Sequence, residues 1–380
     1  MKKQIDFCVR MLALVLAVSV LAGIMPAPSM AEEPTFSRMA DAAAYVRQCT
    51  GERQEQFFFY LTDPKAVSWD LDTLLRQFIE CTGWTCYLYI NRKQVNSEKI
   101  YVGLKYTYRS GVRMADAWKN GNTAGLSSDE LKALNKAGTV AMTIRSQYAS
   151  DLDRERALHD YLCEHLTYED ADHSYDIPPQ QQASYALNTG KANCQGYSDA
   201  FYLLGTMAGL NVRIQNGFNR QGAHTWNAVE LNGSWYMLDV TSDDTDGDSL
   251  SSDAPAYLCF NMGKDLCDAG GYTWDDTWNV ADIRSFTDEN YFFYHGGAGQ
   301  YGAAFSRMDD LTQYCYHLKK NEGMDSSWTM LVNGADGFDV DDFHASMKKA
   351  TNKHGRATKW TFWYWRMGGH LYIYNLWRAF

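Results

Sequence analysis

Residues 190–244, GKANCQGYSDAFYLLGTMAGLNVRIQNGFNRQGAHTWNAVELNGSWYMLDVTSDD, decide the fold. Cys194 follows a glycine-containing loop and opens an apolar run. Tyr197, Ala200, Phe201, Leu204, Met207 and Ala208 recur at helical spacing, and Gly209 supplies the stop. A cysteine at the start of such a helix meets unpaired N–H groups and the positive end of the helix dipole. Both favour the thiolate.

Further along, 223–231 and 234–240 read as two strands joined by Asn232-Gly233, a strong hairpin signal. A two-residue turn there pairs Leu231 with Ser234, Asn227 with Leu238 and Trp226 with Asp239. Alternation puts His224, Trp226, Met237 and Asp239 on one face, and Val229, Tyr236, Leu238 and Val240 on the other. His224 and Asp239 become diagonal neighbours, close enough for a carboxylate to fix the imidazole tautomer and stabilise its charged form. If the helix carrying Cys194 packs on that face, nucleophile, base and orienting acid come together.

The segments CQGYSDAF, AHTWNAVEL and WYMLDVTSDD resemble the transglutaminase-like superfamily. ALHDYLCEHLTYED upstream and AYLCFNMGKD downstream resemble its bacterial members, so the similarity covers roughly half the chain. The resemblance implies a papain-like α+β core, a helix bearing the cysteine packed on an antiparallel sheet. It also implies catalysis by Cys194, His224 and Asp239 without a metal or organic cofactor. Trp226 and Tyr197 are the candidate substrate contacts. One departure is Ser242, where bacterial members often carry tryptophan, and it bears on the substrate site. A second oxyanion donor beside the Cys194 N–H would come from Gln180, Gln181 or Gln182, a choice the sequence leaves open.

Residues 1–31 read as a secretory signal peptide: Lys2, Lys3 and Arg10 form the basic start, 11–24 the apolar core and Ser29-Met30-Ala31 the cleavage site. The rival is an uncleaved anchor, although the apolar run is short for a membrane span. Cleavage removes Lys2, Lys3, Arg10 and Asp6 and takes the formal charge from −11 to −13. The expectation is a secreted or cell-surface protein with no membrane span after cleavage, acting on a protein or peptide, with cell-wall and surface proteins as candidates. So acidic a chain is a poor electrostatic partner for nucleic acid. Apolar residues make up 46% of it, enough for sizeable cores. Beyond Cys194, Cys81/Cys86 and Cys259/Cys267 are the cysteines closest in sequence, read either as disulfides or as buried thiols.

Two similar small α+β modules flank the core in this reading. The first, 32–111, shows a helix at 36–49, a strand at 56–61, a helix at 70–81 and strands at 84–90 and 99–108. FSRM at 36–39 recurs at 305–308, and the same offset matches Asp41 to Asp310, Tyr45 to Tyr314 and Asp70 to Asp339. Further on, Trp84-Thr85 resembles Trp360-Thr361, and Ile100-Tyr101 resembles Leu371-Tyr372. The organisation is therefore signal peptide 1–31, module 32–111, catalytic domain 112–300 and repeated module 301–380. Within the central part, Ser127 with Glu130 forms a capping box before a helix at 131–148. Leu158, Tyr161, Leu162, His165 and Leu166 make the apolar stripe of the next.

Three lesser signals compete. His159, Cys163 and His165 could hold a metal, but a core role for His165 is preferred. Residues 242–253 loosely follow a calcium-loop spacing, against a solvated acidic turn. The Tyr- and Trp-rich C-terminal module reads mainly as core, with one exposed row as a candidate sugar or peptide surface. The leading functional reading is a thiol enzyme that hydrolyses an amide through a thioester. The alternatives are transfer of the acyl group to an amine, which cross-links proteins, and a non-catalytic surface-binding protein with a vestigial triad.

Overall fold

The computed structural model describes residues 33–62, 83–90, 99–175, 177–244, 257–274, 291, 302–305, 307, 310, 329–332, 339–353, 359–367 and 370–379. The leader at 1–31, the helix at 70–81, Cys81 and most of the acidic turn lie outside these residues. So do the side chains of the C-terminal aromatic rows, apart from the exposed Tyr364.

The first core is a four-stranded sheet against one helix. The strands are β1 (Thr35–Phe36), β2 (Gln56–Leu61), β3 (Gly83–Ile90) and β4 (Ile100–Tyr108), in the order β1-β2-β4-β3. Helix α1 spans Met39–Gly51, so it starts later than the sequence pattern suggested. Thr35 and Phe36 instead pair in parallel with Tyr60 and Leu61. Alternation along β2 and β4 turns Phe57, Phe59, Leu61, Val102, Leu104 and Tyr106 inward, against Ala42, Val46 and Cys49 of α1.

Next come α2 (Ser110–Asn120), α3 (Ser128–Gln147) and α4 (Asp151–His165). They are followed by α5 (Ala183–Thr189) and α6 (Cys194–Ala208). Helix α3 begins at the expected capping box: the Glu130 N–H donates to Ser127 Oγ and the Ser127 N–H returns to Glu130 Oε2. Ala133, Ala137 and Ala141 form a small-residue stripe that lets α3 lie close to its neighbours. Helix α6 is the centre: it is buried over nearly its whole circumference, and its buried polar residues Ser198 and Asp199 are hydrogen-bonded to neighbouring elements. Three strands follow, β7 (Val212–Asn219), β8 (Gly222–Leu231) and β9 (Ser234–Leu238), in one antiparallel sheet. The short helix α7 (Val240–Asp243) and α8 (Lys264–Gly270) complete this part.

One buried carboxylate ties the helices together. Asp199 of α6 accepts from the N–H of Gly111 at 2.9 Å, the N–H of Ala183 at 2.9 Å and the Ser110 hydroxyl at 3.2 Å. It thereby satisfies donors in the first turns of α2 and α5 at once. A side chain at Gly111 would collide with it, since an added Cβ meets Asp199 Oδ1 at 2.6 Å and the Asp199 backbone oxygen at 2.5 Å.

The chain ends in a second four-stranded sheet built from β10 (Gly302–Phe305), β11 (Thr329–Val332), β12 (Lys359–Met367) and β13 (His370–Ala379), with helix α9 (Val340–Lys353) between β11 and β12. Its order is β10-β11-β13-β12, with the first pair parallel and the others antiparallel. The first sheet has the same wiring. Phe36 faces Leu61, which faces Ile100 across its other edge. Likewise Phe305 faces Val332, which faces Leu371.

Candidate active site

Cys194 is the first residue of α6, and the chain before it is anchored on several sides. Strand β6 (Lys191–Ala192) pairs in parallel with β5 (Thr167–Tyr168). Asn193 caps the helix, accepting from the N–H groups of Gln195 at 3.1 Å and Gly196 at 3.3 Å. Its own N–H donates to Gln180 O at 3.0 Å. The contact with Gln180 is close enough to demand glycine: a Cβ on Gly196 would lie 2.2 Å from that same carbonyl oxygen. Helix α6 is further joined to β8 by the Ser198 hydroxyl on Thr225 O and by Asn227 Nδ2 on Ser198 O, each at 3.0 Å.

The hairpin has the expected register, Leu231 opposite Ser234 and Asn227 opposite Leu238. Asn232 and Gly233 both take positive φ, 50° and 81°, as a primed turn requires. The expected Trp226–Asp239 pair is not part of the ladder. Strand β9 ends at Leu238, where the chain turns into α7 with Asp239 as its N-cap. The Asp239 N–H donates to Cys259 O at 3.0 Å instead of to a strand.

This exit aims the carboxylate at the histidine. His224 Nε2 lies 2.7 Å from Asp239 Oδ2. That bond leaves Nδ1 clear of Asp239, and Cys194 is near enough to the ring to favour its charged form. Burial is the largest single influence and opposes a charge on His224. The Asp239 carboxylate, its hydrogen bond and the neighbouring Cys194 together outweigh it, and the imidazole is held well above its ordinary value. Burial also works against the Asp239 charge. The neighbouring His224 charge and the donors around the carboxylate prevail, so Asp239 sits below the usual range.

Two of those donors were not read from the sequence. The Tyr272 hydroxyl donates to Asp239 Oδ2 at 2.6 Å, and so does the Ser242 hydroxyl, at 2.6 Å. The Ser242 N–H adds a bond to Oδ1 at 3.2 Å. Ser242, noted only as a departure in the substrate region, therefore helps hold the acid. Tyr272 arrives on a bridge in which Phe218 and Thr273 exchange backbone bonds of 2.8 Å. Gly217 permits the approach, because a Cβ there would meet Thr273 O at 2.2 Å. No period or motif marks Tyr272; only the folded chain brings it to the site.

Trp226 and Tyr197 are not available as substrate contacts. Trp226 is 0% exposed, with its indole N–H on Met237 Sδ at 3.2 Å and its ring against Tyr272 and Trp274. Tyr197 is 1% exposed, and its hydroxyl is bonded to Asp244. Both are apolar anchors that alternation and helical spacing turned inward. Among the glutamines proposed as oxyanion donors, Gln180 has its side chain engaged by Glu169 and by the Asp172 N–H.

The α4 stripe also differs from expectation. His165 is exposed and bonds Tyr161 O at 2.8 Å, while His159 is fully buried beside Cys163. The buried arc runs through Glu155, Leu158, His159, Leu162 and Cys163, which leaves Tyr161 and His165 at its rim. Among the described residues, no three His, Cys, Asp or Glu side chains gather as a metal site. Cys259 and Cys267 are separate thiols, each pushed well up by burial, and the Tyr272 hydroxyl lies 3.6 Å from Cys259 Sγ.

Residues 138–240 match the family model described as the transglutaminase-like superfamily. Kyphoscoliosis peptidase of Homo sapiens is 29% identical over 104 residues, 24% of this chain and 16% of that protein. Its Mus musculus counterpart is 30% identical over 105 residues, with the same coverage. The match thus spans about one sixth of the length of these curated relatives. Among solved structures, one described as a TGase is 15% identical, covers 76% of each chain and has a TM-score of 0.30. A candidate cysteine protease from Cytophaga hutchinsonii is 12% identical, covering 41% of this chain and 61% of its own, with a TM-score of 0.26. By the family match, residues 138–240 are transglutaminase-like.

Proposed function

We propose that this chain, transglutaminase-like at its core, is a secreted thiol enzyme that hydrolyses an amide bond of a protein or peptide. One observation carries the reading: His224 bonds Asp239 through Nε2 at 2.7 Å while Cys194, on the first turn of a helix, stands within reach of the same ring. In the proposed cycle His224 accepts the thiol proton and Cys194 Sγ attacks the carbonyl carbon. The C–N bond breaks as His224 returns that proton to the departing amine, leaving a thioester. Water then attacks with His224 as base, releasing the carboxylic acid and restoring the thiol. Asp239 holds the imidazole oriented throughout.

Hydrolysis is preferred over amine transfer because water needs no site of its own, whereas transfer needs a second protein's amine to reach the acyl carbon. The curated relatives are named peptidases, which leans the same way. The shared wiring of the two terminal sheets supports a further proposal, that one α+β module occurs twice around the catalytic part. The test of the activity is a partition experiment on the purified chain with acyl-donor peptides, with and without excess lysine analogue. Free acid should dominate, and Cys194→Ala should abolish it. Dominant amine adduct would replace hydrolysis by transfer, and undiminished turnover in Cys194→Ala would end the thiol reading.

A further inference from the structure

Behind the triad lies a second buried set of polar groups that the proposed reaction does not use. His159 of α4 is 0% exposed. Its Nδ1 lies 2.9 Å from Asp160 Oδ1 and its Nε2 lies 3.3 Å from Asp243 Oδ2. Asp243 is the last residue of α7, the helix whose N-cap is Asp239.

We propose that His159 is a positioning residue for the triad: its ring, clamped between Asp160 and Asp243, fixes the short helix that begins at Asp239. The inference rests on the triad reading and deepens it.

Proton counting supports the clamp. Both ring nitrogens face carboxylate oxygens, and a neutral imidazole has only one N–H to offer. With both acids ionised, the ring must carry both protons and a positive charge. Each acid has one further donor: the Tyr257 hydroxyl on Asp160 Oδ1 at 2.6 Å and the Cys259 N–H on Asp243 Oδ1 at 2.8 Å. Cys259 is also the residue whose carbonyl accepts the Asp239 N–H. Asp243 and Cys259 therefore grip α7 and the Asp239 backbone together, and His159 is the side-chain partner that Asp243 has from α4.

The groups facing the ring come from three elements. Helix α4 contributes Glu155, Asp160 and Cys163, whose Sγ lies 3.9 Å from Nε2. Helix α7 contributes Asp243, with Asp239 and Asp244 beyond it. The segment after residue 256 contributes Tyr257, stacked at 5.1 Å, and Phe260, edge-on at 5.0 Å. Arg156 lies close enough to act on Tyr257. Burial works against a charge on His159, and Cys163, Asp160 and Asp243 favour it, with a net rise above the ordinary value. Burial lifts Asp243 to about 6, against the pull of His159.

The test uses the full chain and needs no substrate: the rate at which iodoacetamide alkylates Cys194 is measured by mass spectrometry from pH 5 to 9. His224→Ala sets the reference. If it leaves the wild-type profile unchanged, the triad reading itself fails. If His224→Ala slows alkylation, His159→Gln should slow it in the same sense, by about tenfold at pH 6 for a displacement of one pH unit. A His159→Gln profile superimposable on wild type overturns the proposal. Should that variant not fold, Asp243→Asn, which keeps the side-chain shape, must displace the profile likewise, and an unchanged profile there overturns it too. Where both fold, their effects should not multiply in the double variant, since they cut the same link. Fully multiplicative losses would also overturn it.

Discussion

Replacing Tyr272 by phenylalanine isolates a single bond at the heart of the site. The substitution deletes one hydroxyl and leaves the ring that packs on Trp226. The lost interaction is a 2.6 Å donation to a buried carboxylate. Bonds to charged groups contribute about 1.5–3 kcal/mol. Asp239 keeps His224 and Ser242 as donors but loses one, so its affinity for a proton should rise. The sign follows from its depressed folded value. Such a group adds stability above its unfolded value, near 4, and loses it as pH falls through the lower folded value. Tyr272→Phe should therefore be about 1.5–3 kcal/mol less stable than wild type at pH 7. The gap should close in acid, where both proteins have Asp239 protonated, and the acid unfolding midpoint should move up. Urea unfolding at pH 7 and acid titration followed by tryptophan fluorescence measure both. A variant within about 0.5 kcal/mol of wild type at pH 7, or a gap undiminished in acid, would refute the reasoning.

Three other perturbations read different parts of the molecule. Asp239→Asn keeps a capping side chain but removes the anion that raises His224, so turnover should drop by orders of magnitude and the alkaline limb of kcat/KM should shift to lower pH; an unmoved limb would show that another group charges the imidazole. Glu155, lifted to about 8 by burial, has its stabilising protonated form fully present below its unfolded value near 4 and loses that contribution as pH rises through about 8. Glu155→Gln should accordingly gain on wild type by a few kcal/mol between pH 5 and pH 9 in calorimetry, and parallel pH dependences would contradict it. Gly196→Ala should force α6 away from Gln180 and cost at least about 1–3 kcal/mol along with most Cys194 reactivity; normal stability would mean that the Gln180 carbonyl can yield.

Much of the site was legible because its signals are local. The Asn232-Gly233 turn fixes the hairpin register, and the spacing from Cys194 to Gly209 fixes a helix with the cysteine at its start. What escaped depends on chain far away in sequence. Asp239 reads as a strand residue by alternation, yet the pull of Cys259 on its N–H and of Ser242 on its side chain turns it into a helix cap. Alternation also gave His224 and Trp226 the same status, although one faces the carboxylate and the other is sealed under Tyr272 and Trp274. On α4, the 3.6-residue period allowed more than one arc, and the docking of Tyr257 and Phe260 selected the one containing His159.

The dual position of Asp239 changes how much the motif itself can tell a reader. A residue that caps a helix would be retained for folding even in a chain that had lost its chemistry, since only a few side chains cap well. Its presence is thus weak testimony for activity. Cys194 is different. At the first helical position, beyond the cap, serine or alanine would serve the backbone as well. The diagnostic weight of the triad therefore rests on the cysteine, and among related sequences a change at 194 with aspartate intact at 239 would mark a retained scaffold, whereas the reverse pattern would mark a damaged one.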